Sequence, residues 1–233
     1  MASLLTSRIA LVTGANGGLG VHVTNALLEA GATVVGLAPK IAAAEFQHPS
    51  FVPLPATISS LADAGQAVAT VIARFGRIDV LAHLVGGFAG GTPVAETGDE
   101  TMRQMFALNF DSAFYMLSAV VPHMRQAKSG CIIAIGSRAA EDPGPGVGAY
   151  SASKAALVSL VRTVAAENSG AGITANVLLP GTMDTPANRG AMPKEDFSKW
   201  VQPASVASLI VWLAGDGGKD VNGAVIPVYG RQS

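Results

Sequence analysis

Between Arg8 and Leu28 the chain reads RIALVTGANGGLGVHVTNALL, an order of residues that few folds accept. Ile9 to Val12 form a short apolar run of the kind that fills a strand buried on both faces. Gly14, Gly17, Gly18 and Gly20 then crowd a tight turn, and Leu19, Val23, Ala26, Leu27 and Ala30 fall at helical spacing until Gly31 stops the run. Glycines let the backbone come close to a bound group, and the first helical turn offers unpaired N–H groups and the positive end of its dipole. An anion, such as the pyrophosphate of a dinucleotide, is therefore expected above Gly18 to Gly20. Glycine also serves ordinary loops, so the weight of this reading depends on the elements around it.

Those elements alternate. Strand patterns occupy residues 32–37, 51–55, 78–85, 131–135, 175–179 and 223–228. Helical patterns run from Ser59 or Ser60 to a stop at Gly76, over 99–124, over 150–167, and from Pro203 or Ser205 to Leu213. Residues 41–49 are too short for a full crossover helix, and Pro53 and Pro55 suit an edge strand. The expected fold class is α/β: a single-domain Rossmann fold over residues 1–233, with a doubly wound parallel sheet and helices on both faces. A second glycine cluster, Gly86 to Gly91, lies beyond the fourth strand, at the sheet edge where such folds bind ligands. The loop 141–148, EDPGPGVG, wraps the same mouth. Residues 182–202 lack clean periodicity, hold Pro186 and Pro193, and read as a substrate lid with a short helix at 194–200. Within the apolar stripe of 99–124, which includes Met105, Phe106, Phe110 and Phe114, Asn109 is a polar interruption: a structural bracket or part of a site.

Composition excludes several classes. A formal net charge of -1 without a basic stripe argues against nucleic acid. Charged residues are 13% of the chain against about 25% for typical soluble domains, so a homo-oligomer, dimer or tetramer, is expected to cover part of the surface. The single cysteine, Cys131, lies in the apolar run CIIAI and reads as core. No signal-peptide pattern and no run of 18 apolar residues is present, so the expectation is a soluble cytoplasmic protein with no membrane association.

Tyr150 and Lys154 are one helical turn apart, which lets an ammonium sit beside a phenol and favour the phenolate. As an isolated pair they equally suit a solvent-facing helix surface. With Thr13, Gly14, Gly18 and Gly20 in a TGxxxGxG turn, Ser137 beyond the fifth strand and Asn109 in the preceding long helix, the chain resembles the short-chain dehydrogenase/reductase family from about Ile9 to Gly230. The resemblance implies an NAD(P)-dependent oxidoreductase acting on a small carbonyl substrate. It assigns Tyr150 as the proton donor in reduction and Ser137 as the group that polarises the substrate oxygen. Lys154 would tune Tyr150 and hold the nicotinamide ribose, and Asn109 would bind a water that links Lys154 to solvent. Cofactor contacts are implied at Thr13, Gly14, Asn16, Gly17, Gly18, Leu19 and Gly20, at Ala38 and Lys40, at Val85, Gly86 and Gly87, at Tyr150 and Lys154, and at Pro180, Gly181 and Thr182.

Two departures from that pattern are informative. The family's NNAG is replaced by His83 to Gly86, HLVG; a lone histidine without metal partners reads as structural, and no metal is expected. Acidic residues expected at the adenosine end are absent at Ala38 and at Ala56 to Ile58. Lys40 suits a 2'-phosphate as well as a solvated turn, so NAD and NADP stay open. The segments VGGFAGG, from Val85, and LLPGTMDTPANRGAMPKEDFSKW, ending at Trp200, look like the glycine loop and lid of the quinonoid dihydropteridine reductases within the family, which implies a pterin substrate as an alternative. Asp184, Asn188 and Arg189 suit ligand contact or loop capping, and Phe88 and Trp200 suit ring stacking or lid anchoring. Loss of the adenosine-side carboxylates leaves one contrasting reading, a catalytically silent nucleotide-binding or structural protein.

Overall fold

The computed structural model describes residues 4–231. Seven parallel strands form one sheet in the order β3-β2-β1-β4-β5-β6-β7: β1 Ile9–Thr13, β2 Thr33–Ala38, β3 Phe51–Pro55, β4 Val80–His83, β5 Gly130–Ile135, β6 Ile173–Pro180 and β7 Val225–Val228. The order reverses between β1 and β4, so the crevice beyond the carboxyl ends of those strands is the topological switch point. The proline-bearing β3 is an edge strand, where a missing N–H costs no internal ladder bond.

Strand side chains alternate between two faces, and each face has its own apolar cluster. Ala10, Val12, Val80, Ala82 and Ile133 pack with Val23 and Leu27 of α1 (Gly20–Glu29) and with Val206 and Ile210 of α7 (Pro203–Ala214). Leu11, Val35, Leu81, Ile132 and Val177 pack with α2 (Leu61–Phe75), α4 (Ser112–Ala127) and α5 (Gly148–Asn168). The expected doubly wound parallel sheet is therefore the observed one.

Three expected elements differ. Residues 41–49 keep only one 3-10 turn, Ala43–Glu45. In the lid, 194–200 retains a single 3-10 turn, Phe197–Lys199, because Pro193 precedes it and the Asp196 carboxylate accepts the Ser198 N–H. The lid helix is instead α6, Pro186–Ala191, started by Thr185, whose hydroxyl accepts the Asn188 N–H, and by a proline at its first position. The long helix expected over 99–124 is α3 (Asp99–Phe106) and α4 joined by a π turn, Ala107–Asp111. Residues 99–127 have the length and hydropathy of a marginal membrane span, but the apolar residues of α4 lie on the sheet.

Candidate active site

The first glycine turn closes as its sequence requires. Gly14 has φ +69° and donates to the Leu37 carbonyl at the end of β2 (2.8 Å), and Gly17 donates back to the Gly14 carbonyl (3.0 Å). A Cβ at Gly20 would lie 2.0 Å from the Gly14 oxygen, so no other residue fits where α1 leaves the turn. Gly17 and Gly18 are exposed, and a Cβ at Gly18 would come within 3.1 Å of Thr185 Cγ2 at the start of α6. A bare backbone strip at a helix start, walled by the lid, fits a pyrophosphate. Leu19 offers that strip only its main chain, since its side chain is in the core. Asn16 Nδ2 donates to the Lys40 carbonyl (2.6 Å), which brings these two candidates together, with Lys40 exposed and Ala38 buried.

Thr13 is fully buried and braces the turn from below. Its hydroxyl accepts the Leu84 N–H (3.1 Å) and lies 3.0 Å from His83 Nδ1, while His83 Nε2 lies 3.3 Å from Ser112 Oγ. Ser112 donates its proton to the Leu108 carbonyl (2.7 Å), so His83 Nε2 carries hydrogen and Nδ1 accepts from Thr13. Burial, with the Lys154 charge nearby, pushes the His83 pKa down to about 3 and keeps the ring neutral. The structural reading of His83 thus acquires a job: it joins the ends of β1 and β4 to the π turn that carries Asn109.

Asn109 is completely buried and grips the loop after β4 at both polar atoms. Oδ1 accepts the Gly87 N–H (2.9 Å), while Nδ2 donates to the Gly87 carbonyl (3.1 Å) and to Ser153 Oγ (3.1 Å). Ser153 in turn donates to the Tyr150 carbonyl (2.7 Å), which makes Asn109 a bracket between the loop and α5. It is also next to the site, because a Cβ at Gly86 would meet Asn109 Oδ1 at 2.8 Å and Lys154 Nζ at 3.0 Å. Val85 and Gly87 are half-buried beside it.

Lys154 is 4% exposed, and its ammonium donates to the Ile135 carbonyl (2.7 Å) at the end of β5. Burial pushes its pKa down to about 8. Tyr150, one turn earlier on α5, is half-buried and hydrogen-bonds to Ser137. Burial raises the phenol pKa and the Ser137 bond opposes it. The depression expected from Lys154 does not appear in this arrangement, where the ammonium is turned to the strand end. Ser137 accepts the Ala139 N–H (3.2 Å), and its own hydroxyl proton is directed at the Tyr150 oxygen, which is how it opposes the rise in the phenol pKa. Phe88, 67% exposed, meets the Tyr150 ring edge-on at 4.9 Å.

Pro180 ends β6, Gly181 donates to the Val228 carbonyl (3.0 Å), and the Thr182 carbonyl accepts from Val201 (2.9 Å), so these three form the hinge side of the lid. The polar lid residues bond to one another. Arg189 pairs with Asp184, whose pKa falls to about 2 through that bond and one from Gln202, and Asn188 donates to the Met183 carbonyl. Trp200 is buried against Phe197, which resolves its role as anchor. Among the described residues no group of histidine, cysteine or acidic side chains could hold a metal ion. Sequence reasoning overlooked Ser112 and Ser153, although both are polar residues at helical spacing from named site residues.

The arrangement places a phenol, a hydroxyl and an ammonium beyond the carboxyl ends of parallel strands, beside a glycine-lined cradle. A family model described as short chain dehydrogenase matches residues 8–196. The chain belongs to the short-chain dehydrogenase family. It is 29% identical to the short chain dehydrogenase adrF of Penicillium rubens, with 97% of each chain covered. It is 30% identical to the 2-(R)-hydroxypropyl-CoM dehydrogenase of Xanthobacter autotrophicus, covering 96% of this chain and 98% of the relative. Among solved structures, a short-chain dehydrogenase/reductase from Serratia marcescens superposes with a TM-score of 0.89 at 28% identity, covering 97% and 98% of the two chains. As a family member the protein is an oxidoreductase that works with a nicotinamide dinucleotide.

Proposed function

We propose that this family member reduces a small carbonyl compound with NAD(P)H, Tyr150 supplying the proton. The observation that carries the reading is that the Ser137 hydroxyl lies close enough to the Tyr150 phenol to oppose the rise in its pKa, at the carboxyl end of β5 and with Lys154 one turn away. When bound, the nicotinamide supplies hydride to the carbonyl carbon. Ser137 and Tyr150 donate hydrogen bonds to the carbonyl oxygen as negative charge develops on it. Tyr150 then gives its O–H proton to that oxygen; Lys154, one turn away, favours the tyrosinate left behind once its ammonium turns from the Ile135 carbonyl to the phenol. Gly14, Gly18 and Gly20 would hold the pyrophosphate.

Tyr150→Phe tests this directly. Reduction should fall by about a hundred- to ten-thousand-fold, while the cofactor dissociation constant, read from reduced-nicotinamide fluorescence, stays within about twofold. Unchanged turnover would sink the assignment. The substrate screen that accompanies it includes ketones, aldehydes and a quinonoid dihydropterin; the retained Ser137 favours the carbonyl compounds. Exposed apolar side chains on the long helix, Met102, Leu108 and Phe114, support a homo-oligomer, which light scattering would detect as a mass of two or four chains.

A further inference from the structure

We infer that Phe88 is a specificity-determining residue and that the substrate is an uncharged compound whose carbonyl is attached to, or conjugated with, a flat aromatic ring. This deepens the carbonyl-reductase reading and rests on it.

Phe88 is 67% exposed and stands against the Tyr150 ring, so a substrate bound at the phenol would cover it. Phe88 is held in that position from both sides. Before it, Gly87 is gripped through its N–H and its carbonyl by the fully buried Asn109 (2.9 and 3.1 Å). After it, Gly91 has φ +94° and donates to the Gly146 carbonyl (2.9 Å). A Cβ at Gly90 would lie 2.7 Å from Phe88 Cζ and 3.1 Å from Val147 Cγ1, so the glycine makes room for the ring. The ring therefore stands ready-made, edge-on to Tyr150 with centroids 4.9 Å apart and planes at 75°.

A substrate oxygen at the Tyr150 hydroxyl brings the group next to its carbonyl carbon under the same wall. An aromatic ring there gains face or edge contact with Phe88 beyond plain apolar burial. The neighbourhood offers little to a charged substrate. A cavity of about 120 Å³ adjoining the loop is lined by neutral residues, among them Ala89, Gly90, Thr92, Thr97 and Ala149. Arg138 beyond β5 and Arg189 in the lid are already paired, with Asp142 and Asp184.

The test compares kcat/KM for methyl phenyl ketone and methyl cyclohexyl ketone in the wild-type protein, Phe88→Leu and Phe88→Tyr. The phenyl to cyclohexyl ratio should drop roughly two- to tenfold in Phe88→Leu, through KM, and persist in Phe88→Tyr. Comparing ratios between proteins cancels the intrinsic reactivity of the two ketones. An unchanged ratio in Phe88→Leu, or an equal drop in Phe88→Tyr, overturns the inference. A binding measurement removes dependence on turnover and on the folding of any variant. With oxidised cofactor present, ligand-observed NMR of the wild-type protein should show benzyl alcohol binding roughly two- to tenfold more tightly than cyclohexylmethanol. Equal or reversed affinities overturn the inference. If both ketones go unreduced while benzyl alcohol still binds preferentially, the carbonyl-reductase reading fails and the aromatic site stands.

Discussion

The buried imidazole of His83 should make this protein acid-labile in a way that one substitution removes. The ring is 1% exposed and lies between Thr13 and Ser112, both of which require it neutral: Nδ1 must accept and Nε2 must donate. Its pKa falls from 6.5 to about 3, by burial first and the Lys154 charge second. A depressed pKa in the folded state means that the unfolded chain binds the proton first. Stability is therefore full above about pH 6.5 and is lost as pH falls toward 3. Between about pH 7.5 and pH 5 this one group removes about 2 kcal/mol, and over the full range on the order of 4 kcal/mol. His83→Asn keeps a neutral donor and acceptor at the position but cannot titrate. Urea unfolding of both proteins at the two pH values gives a difference of differences in which the other histidines and the carboxylates cancel. The wild-type protein should lose about 2 kcal/mol more than the variant. Equal losses would refute both the neutral assignment and the hydrogen-bond chain drawn through it.

Other consequences are quickly checked. NADPH should bind on the order of tenfold more tightly than NADH if the exposed Lys40 meets a 2'-phosphate, and Lys40→Ala should erase the difference in fluorescence titrations; equal affinities in the parent protein would remove the assignment. Gly86→Ala drives a methyl group against Asn109 Oδ1 and Lys154 Nζ, so it should cost about 1–3 kcal/mol in urea unfolding and weaken cofactor binding. Reduction should decline as pH rises through about 8, where Lys154 sheds its proton, and Lys154→Arg should move that limb to higher pH; a limb unmoved in the variant would assign it to another group.

The parallel sheet was legible because its strands are continuous apolar runs and its punctuation is glycine. Gly31 and Gly76 stop helices at the expected places, and Pro53 with Pro55 marks an edge. The pairing of Tyr150 with Lys154 is set by helical spacing alone. Less was legible where a side chain decides between local and tertiary partners. Asp184, Asn188 and Arg189 are the same residue types that bind ligands, and only the fold shows them bonded to one another. The lid helix begins at Thr185 and Pro186, a capping signal that a helical stretch nearer Trp200 concealed. Lys154 was expected to act on the Tyr150 phenol, but the carbonyl of Ile135 within 2.7 Å claims its ammonium in this arrangement. The π turn has no signature in apolar spacing, because its extra residue is Asn109's neighbourhood itself: Asn109 and Ser112 both point inward through polar bonds.

That extra residue separates folding from function in an unusual way. A helix with a π turn holds one residue more than its length needs, and the wider turn absorbs that residue, so the downstream half keeps its phase with the upstream half. Deleting one residue within Ala107–Asp111 would let α3 and α4 merge into a regular helix with better internal bonding. The same deletion would remove the bulge that carries Asn109 toward the loop, so Asn109 could not stay on Gly87 while Met116 and Met124 keep their places on the sheet. The length of this helix is thus a functional quantity: a chain shortened by one residue here would fold more regularly and lose the grip that sets the loop beside Tyr150.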